Sequence, residues 1–328
     1  MDMVALAQLP TCLRALNRRI QSEVTRRPFM RKAVVNMRLL PSLPRWLIPS
    51  AGLRIYIIYL WRHRRWPDLF NPRRFSELVQ RRKLHDRNPM MPVMADKIAV
   101  KKHVGRILGS EWTIPTYWSG RNLPEQPSWP YPFILKASHG CNQNMVCRDR
   151  ADWKKAHRRS AGWIRAPYGL WLDEWAYRDI PRGYIVEPYL GTANALPIDY
   201  KIYVFSGKAA FIQVHLGRHS NHRWILFDRQ WGQLSRLGDD NLPSAPKNLE
   251  KMLDSAEKIA REFDFARVDF YEIAGEAKFG EVTFYPGSGL DPFDPPELDI
   301  AIGALWLAGS GNYTASQNVT GRWSPRAA

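Results

Sequence analysis

Cysteine is scarce in this sequence: three residues in 328, Cys12, Cys141 and Cys147, with no CxxC pair among them. That excludes a disulfide framework and a paired-cysteine zinc site, and it fits a reducing, cytosolic compartment. Long hydrophobic runs are also missing. The longest, Trp46 to Trp61, is interrupted by Pro49, Gly52 and Arg54, and it falls short of the roughly 20 residues a membrane span requires. The first twenty residues show no clean apolar stretch and no cleavage site, so no secretory signal is read there. No segment repeats. Acidic residues are few in the first third: residues 1–106 hold 6 Asp/Glu against 23 Lys/Arg, a net +17, whereas residues 107–328 hold 25 of each sign.

What is present has a globular balance, with 45% apolar and 24% charged residues, and enough length for one large domain or two ordinary ones. The 14 Trp suit either a Trp-rich core or a cleft or membrane interface. The regional charge points to an anionic partner for the N-terminal part alone. Directly after the apolar run comes Arg62-His63-Arg64-Arg65-Trp66. Two readings of it stand: a segment lying on an anionic membrane surface, or a core helix followed by a solvated basic turn. Nucleic acid is disfavoured as the partner, because the arm has no zinc-finger spacing, RNA-recognition signature or glycine-rich clamp loop.

From Pro67 onward helices and strands mix. Asp96 is placed to cap a helix over Lys97 to Leu108, closed by Gly109. A Pro- and Trp-rich connection, Leu123 to Pro132, leads into a strand at Phe133 to Lys136 and a small-residue turn, Ala137-Ser138-His139-Gly140. Tyr184 to Glu187 reads as a buried strand, and Tyr200 to Phe205 and Ala209 to Leu216 as a pair turning at Gly207. The clearest helix is Pro246 to Phe263, with an apolar stripe through Leu249, Met252, Leu253, Ala256, Ile259, Ala260 and Phe263.

Two apolar runs that follow, Phe265 to Ile273 and Ala277 to Phe284, are separated by Ala274-Gly275-Glu276. A three-residue hairpin loop there puts Ile273 opposite Ala277, Asp269 opposite Glu281 and Arg267 opposite Thr283. Directly opposed residues have Cβ atoms about 4.5–5.5 Å apart. Two carboxylates at that spacing repel unless a cation joins them, and an all-oxygen pair suits magnesium, which keeps positions open for phosphate oxygens. The other reading leaves both carboxylates pointing to solvent on an exposed face.

Seven segments in this order resemble the TupA-like ATP-grasp family: FNPRRFSELVQRRKLHDRNP (70–89), DKIAVKKHV (96–104), FILKASHG (133–140), IVEPYL (185–190), DYKIYVFSGK (199–208), ARVDFY (266–271) and GEVTFYPGSG (280–289). The resemblance covers about residues 67–300. It implies an α+β fold of the ATP-grasp type, two α+β subdomains gripping ATP, preceded here by a basic helical arm (1–66) and followed by a tail (301–328). It implies ATP and Mg2+ as cofactors, and a ligase that joins a carboxylate-bearing small molecule or glycan to an amine through an acyl phosphate, in surface-polysaccharide modification. The alternative is a membrane-associated glycan-modifying transferase or binding protein on the same fold. Carried over by position, Lys97, Lys136 and Lys201 contact ATP phosphates; Glu187, Tyr189 and Leu190 frame the adenine; Asp269 and Glu281, with Thr283, ligate the metal. Lys136, Lys201, Arg218 and Arg267 are the expected catalytic side chains. The loop after Lys136 holds one glycine where the superfamily is usually glycine-rich.

His215, Arg218, His219, Asn221 and His222 crowd one short segment. No Cys or carboxylate completes a zinc site at ligand spacing, so Arg218 is read as an anion grip, beside the alternative of a polar loop with incidental histidines. A cytoplasmic location is expected, with peripheral attachment at the inner face of the membrane left open.

Overall fold

The computed structural model describes residues 48, 50–191, 197–216, 223–234 and 242–309. Helix α1 (Ala51–His63) starts at Ser50, whose hydroxyl accepts from Leu53 N at 3.3 Å, and stops where Arg64 turns left-handed (φ 56°). Helix α2 (Phe75–His85) is started by Glu77, whose carboxylate reaches back to the amide of the N-cap Arg74 and to that of Arg73 before it. Helices α3 (Met90–Ala95) and α4 (Ala99–Leu108) follow. The Asp96 carboxylate accepts from Ile98 N at 2.8 Å, and Gly109 closes α4 with φ 103°. Lys97 therefore stands just ahead of the helix rather than inside it.

Strands β1 (Trp118–Gly120), β2 (Phe133–Ala137) and β3 (Asn144–Cys147) come next, then helix α5 (Arg150–Ser160), capped by Asp149, and strand β4 (Tyr184–Pro188). They form an antiparallel sheet in the order β1-β4-β2-β3. Its outer face holds Phe133, Leu135, Tyr184 and Val186 against Trp129 and Trp153, each large side chain worth about 1.5–3 kcal/mol on burial. The alternate residues, among them Lys136 and Glu187, face the other way.

The second sheet runs β7-β6-β5-β8-β9, built from β5 (Asp199–Phe205), β6 (Lys208–Leu216), β7 (Arg223–Asp228), β8 (Phe265–Ile273) and β9 (Glu276–Thr283). Helix α6 (Leu249–Ile259) precedes β8 and buries Met252, Leu253, Ala256 and Ile259. It is shorter than the periodicity over Pro246 to Phe263 suggests, because Leu249 N and Phe263 N make turn bonds outside the helix. Helix α7 (Glu297–Gly309) packs Leu298, Ile302, Leu305 and Trp306 into the core. The body thus continues past residue 300, through the first nine residues of the expected tail.

The expected arm also meets the body within its own length. Arg54 pairs with Asp173, Tyr59 is fully buried beside Ser76, Arg62 donates to Leu290 O (2.9 Å) and Arg65 to Asp299 (2.9 Å). His63 Nε2 lies 3.1 Å from Gly289 O. These contacts tie residues 54–65 to the body. Three of the basic side chains in the 62–65 cluster are structural ties, so neither reading of that block, headgroup contact or solvated turn, describes them. Among the described residues no helix is long and apolar enough to cross a membrane.

Candidate functional site

The 269/281 pair lies as its spacing suggests: Asp269 faces Glu281, and Arg267 faces Thr283, on adjacent antiparallel strands. The route differs. Ile273 opposes Glu276, so the loop is two residues, Ala274 and Gly275, with φ 52° and 80°. Two positive φ values give the tight turn whose twist matches a hairpin. The ladder then shifts between Asp269 and Phe270, and the extra residue on β9, Gly280, restores the pairing of Asp269 with Glu281.

Across the sheet, Lys201 on β5 pairs with Asp269 on β8, so one row reads Lys201, Asp269, Glu281. Lys201 Nζ stands 2.6 Å from Asp199 and 2.5 Å from Asp269. Arg267 grips Asp269 with two nitrogens, each at 2.7 Å, donates to the Thr283 hydroxyl at 3.1 Å and stands 3.6 Å from Glu281. Asp269 is 1% exposed. Burial pushes its carboxyl up, but Arg267 and Lys201 together outweigh burial and hold it below the usual carboxylate range. Glu281 is likewise held low against burial, chiefly by Lys97. Burial, with the nearby Arg267 charge, drives Lys201 down despite Asp269 and Glu281.

Lys97 joins the two sheets. Its amide donates to Ser138 O at 3.0 Å, and its Nζ to Gly140 O at 2.9 Å and Glu281 at 3.4 Å. The loop after β2 is thereby strapped to β9. Its one glycine is required: a Cβ on Gly140 would lie 2.7 Å from the Tyr168 ring. On the inner face of the first sheet, Lys136 stands 2.6 Å from Glu187, and Lys101 bonds the other oxygen of the same carboxylate. Glu187 is buried, which pushes its carboxyl up, yet the two lysines bring it below its ordinary value. Lys101, on the first turn of α4, escaped the sequence reading.

Some expected contacts are already engaged. The Glu187 side chain is held by Lys101 and Lys136. Tyr189 N donates to Pro132 O at 3.2 Å, so that amide of the 187–190 stretch is not offered to an adenine edge; Leu190 follows directly after it. Thr283 serves Arg267. Arg218 lies outside the described residues, as do His219, Asn221 and His222; His215 faces Asp199 across β5 and β6. Burial pushes the Cys141 and Cys147 thiols up to about 11 and about 12, which disfavours the thiolate form of each.

Among the described residues no three His, Cys, Asp or Glu side chains cluster to hold a metal. What the second sheet offers is two ionised carboxylates side by side, ringed by Lys97, Lys201 and Arg267. That donor set fits magnesium, which is commonly bound by one or two carboxylates plus phosphate oxygens and water. The lysines and arginine fit the phosphates that such an ion would share.

A family model described as TupA-like ATPgrasp matches residues 77–307, well over half of the chain. Among solved structures, the chain is similar to D-alanine–D-alanine ligase from Bacillus anthracis complexed with ATP, at 12% identity over 68% of this chain and 70% of that one, with a TM-score of 0.41. It is similar to L-amino acid ligase from Bacillus licheniformis at 11% identity, over 66% of this chain and 48% of that one (TM-score 0.42). The N5-carboxyaminoimidazole ribonucleotide synthetase from Thermus thermophilus shows 14% identity, over 64% of this chain and 51% of that one (TM-score 0.40). The chain thus spans about half the length of the last two. Likenesses at these scores support no inference about chemistry, and no curated protein matches the chain.

Proposed function

The chain belongs to the TupA-like ATP-grasp family, and on that premise we propose that it is an ATP- and magnesium-dependent carboxylate–amine ligase. The observation that carries the reading is the row Lys201–Asp269–Glu281 with Lys97 and Arg267 around it. In this reaction class a substrate carboxylate takes the γ-phosphoryl group of ATP, and an amine then displaces phosphate from the acyl phosphate to leave an amide. Bound at Asp269 and Glu281, magnesium would supply neutralisation of phosphate charge. Lys97, just ahead of α4, and Lys136, on β2, bind and orient the phosphates. Arg267, anchored on Asp269, presents positive charge where the transferring group carries negative charge. Lys201 keeps Asp269 ionised. Positioning and charge account for most of the catalysis in such transfers.

The finer assignments belong to the same proposal. The substrates are an amine and a carboxylate-bearing small molecule or glycan of a surface polysaccharide, met at the inner face of a membrane. Trp66 and Phe70, 66% and 92% exposed, support contact with an anionic lipid surface beside the exposed Arg64 and Arg73. No feature of the site favours a transferase or a non-ligating binding protein. The test is ADP release from the full chain against a panel of amino acids, uronic acids and amines. Release that requires an acid and an amine together is expected; release with neither, or none with any pair, overturns the ligase.

A further inference from the structure

A cleft, about 670 Å³ in volume, lies where the start of α4, the ends of β1 and β4, the turn after β2 and the stretch before β4 come together. None of the side chains assigned above to nucleotide or metal lines it. Its polar lining is Arg121, Arg178, Arg182, Asp96, Ser119 and Ser138, three guanidiniums against one carboxylate. Two of its walls are joined by the bond from Lys97 N to Ser138 O.

The three arginines have donors to spare. Arg121 has no ion pair or side-chain hydrogen bond among the described residues. Arg178 pairs with its neighbour Asp179 at 3.0 Å, with both side chains more than half exposed, an arrangement worth little. Arg182 gives one nitrogen to Arg165 O at 2.8 Å, and a guanidinium carries five N–H donors. A carboxylate needs one such fork, whereas a phosphate group, with three terminal oxygens and up to two charges, can use several. Asp96, Ser119 and Ser138 add acceptors and hydroxyls suited to a polyol. Ile98 and Ile180 supply an apolar wall, and the volume is that of a small-molecule site.

We propose that this cleft is a second ligand site that takes a small phosphorylated polyol or sugar, with its phosphate on Arg121, Arg178 and Arg182 and its hydroxyls on Asp96 and the two serines. The assignment rests on the lining alone and does not depend on the ligase reading.

The test is calorimetric titration of the full chain, held at saturating magnesium-ADP, with glucose 1-phosphate, inorganic phosphate and glucose as probes. Glucose 1-phosphate is expected to bind at one site, at least about tenfold tighter than phosphate, with no measurable binding of glucose. Arg121→Ala and Arg182→Ala should each weaken it about tenfold or more, leaving the melting temperature and the ADP affinity unchanged, since both side chains reach solvent. Absent binding, binding indifferent to both substitutions, or binding displaced by ADP overturns the site. Equal affinity for phosphate and glucose 1-phosphate overturns the polyol class. If ADP fails to bind while arginine-dependent sugar phosphate binding persists, the ligase reading falls and this one stands.

Discussion

Lys136 and Glu187 lie diagonally across neighbouring strands with nitrogen and oxygen 2.6 Å apart, and Lys101 holds the second oxygen of the same carboxylate. A phosphate that recruits Lys136 removes one counter-ion from a buried carboxylate. Lys101 is the one that remains.

Lys101→Met therefore leaves Glu187 dependent on Lys136 and makes that lysine costlier to recruit. The dissociation constant of magnesium-ATP should rise about tenfold, equivalent to about 1.4 kcal/mol, as read by calorimetry. An unchanged constant would show that Lys136 is drawn from Glu187 without help.

Asp269→Asn and Glu281→Gln should each lower magnesium-dependent ADP production by about a hundredfold or more, but they should part company in stability. Asp269 is enclosed by Lys201 and Arg267, and removing one partner of a buried pair costs about 3–5 kcal/mol. The Glu281 side chain is 33% exposed, so its ion pairs behave more like surface pairs, worth about 0–1 kcal/mol. Urea midpoints compared with turnover separate the two effects. Equal destabilisation by the two substitutions would contradict the burial argument, and full turnover in Glu281→Gln would remove the metal assignment.

The stability gap between the native chain and Asp269→Asn should depend on pH in one direction. The Asp269 carboxyl is held low in the fold, so its contribution is fully present above the unfolded value near 3.9. It is lost as pH falls through the lower folded value. The gap should hold constant above about pH 5 and narrow below about pH 4, by the same linkage. A gap that widens in acid would reverse the sign.

Deleting residues 1–66 removes Tyr59, Arg54 and Arg65 together with their partners' contacts, and should lower the melting temperature sharply. Trp66→Ala with Phe70→Ala should leave the melting temperature in place while reducing co-sedimentation with vesicles containing phosphatidylserine. If vesicle binding survives the double substitution, the exposed rings are not the lipid contact.

Local patterns carry much of this architecture, and distance along the chain decides what they cannot carry. The strands around Lys136 and Glu187 and the apolar stripe of α6 are short-range signals that the sequence states openly. Spacing alone reaches the 269/281 pairing through a three-residue loop, whereas the chain uses a two-residue turn and a bulge. A trace of that bulge is legible: Ala277 and Phe279 are buried on one parity and Val282 and Phe284 on the other, and the switch falls at a glycine. The basic block at 62–65 reads alike whether its side chains meet solvent, lipid or protein. Its partners, Gly289, Leu290 and Asp299, lie more than two hundred residues away, beyond any periodicity. Lys101 is hidden for a related reason, since its worth comes from a carboxylate 86 positions on.

Asp299 collects three donors from the other end of the molecule: Ser76 N at 2.8 Å, Ser76 Oγ at 2.6 Å and Arg65 at 2.9 Å. On the ribosome, Ser76 is made 223 residues before the carboxylate that receives it. At elongation rates of about 5–20 residues per second, α1 and α2 wait roughly ten to forty-five seconds for that partner, by the same rates. The first sheet, complete by residue 188, can close early, but the clasp of α1 and α2 onto α7 comes last in vectorial synthesis. A chain stalled short of residue 299 leaves the Arg65 guanidinium and the Ser76 amide without that acceptor, and α1 and α2 without their tie to α7.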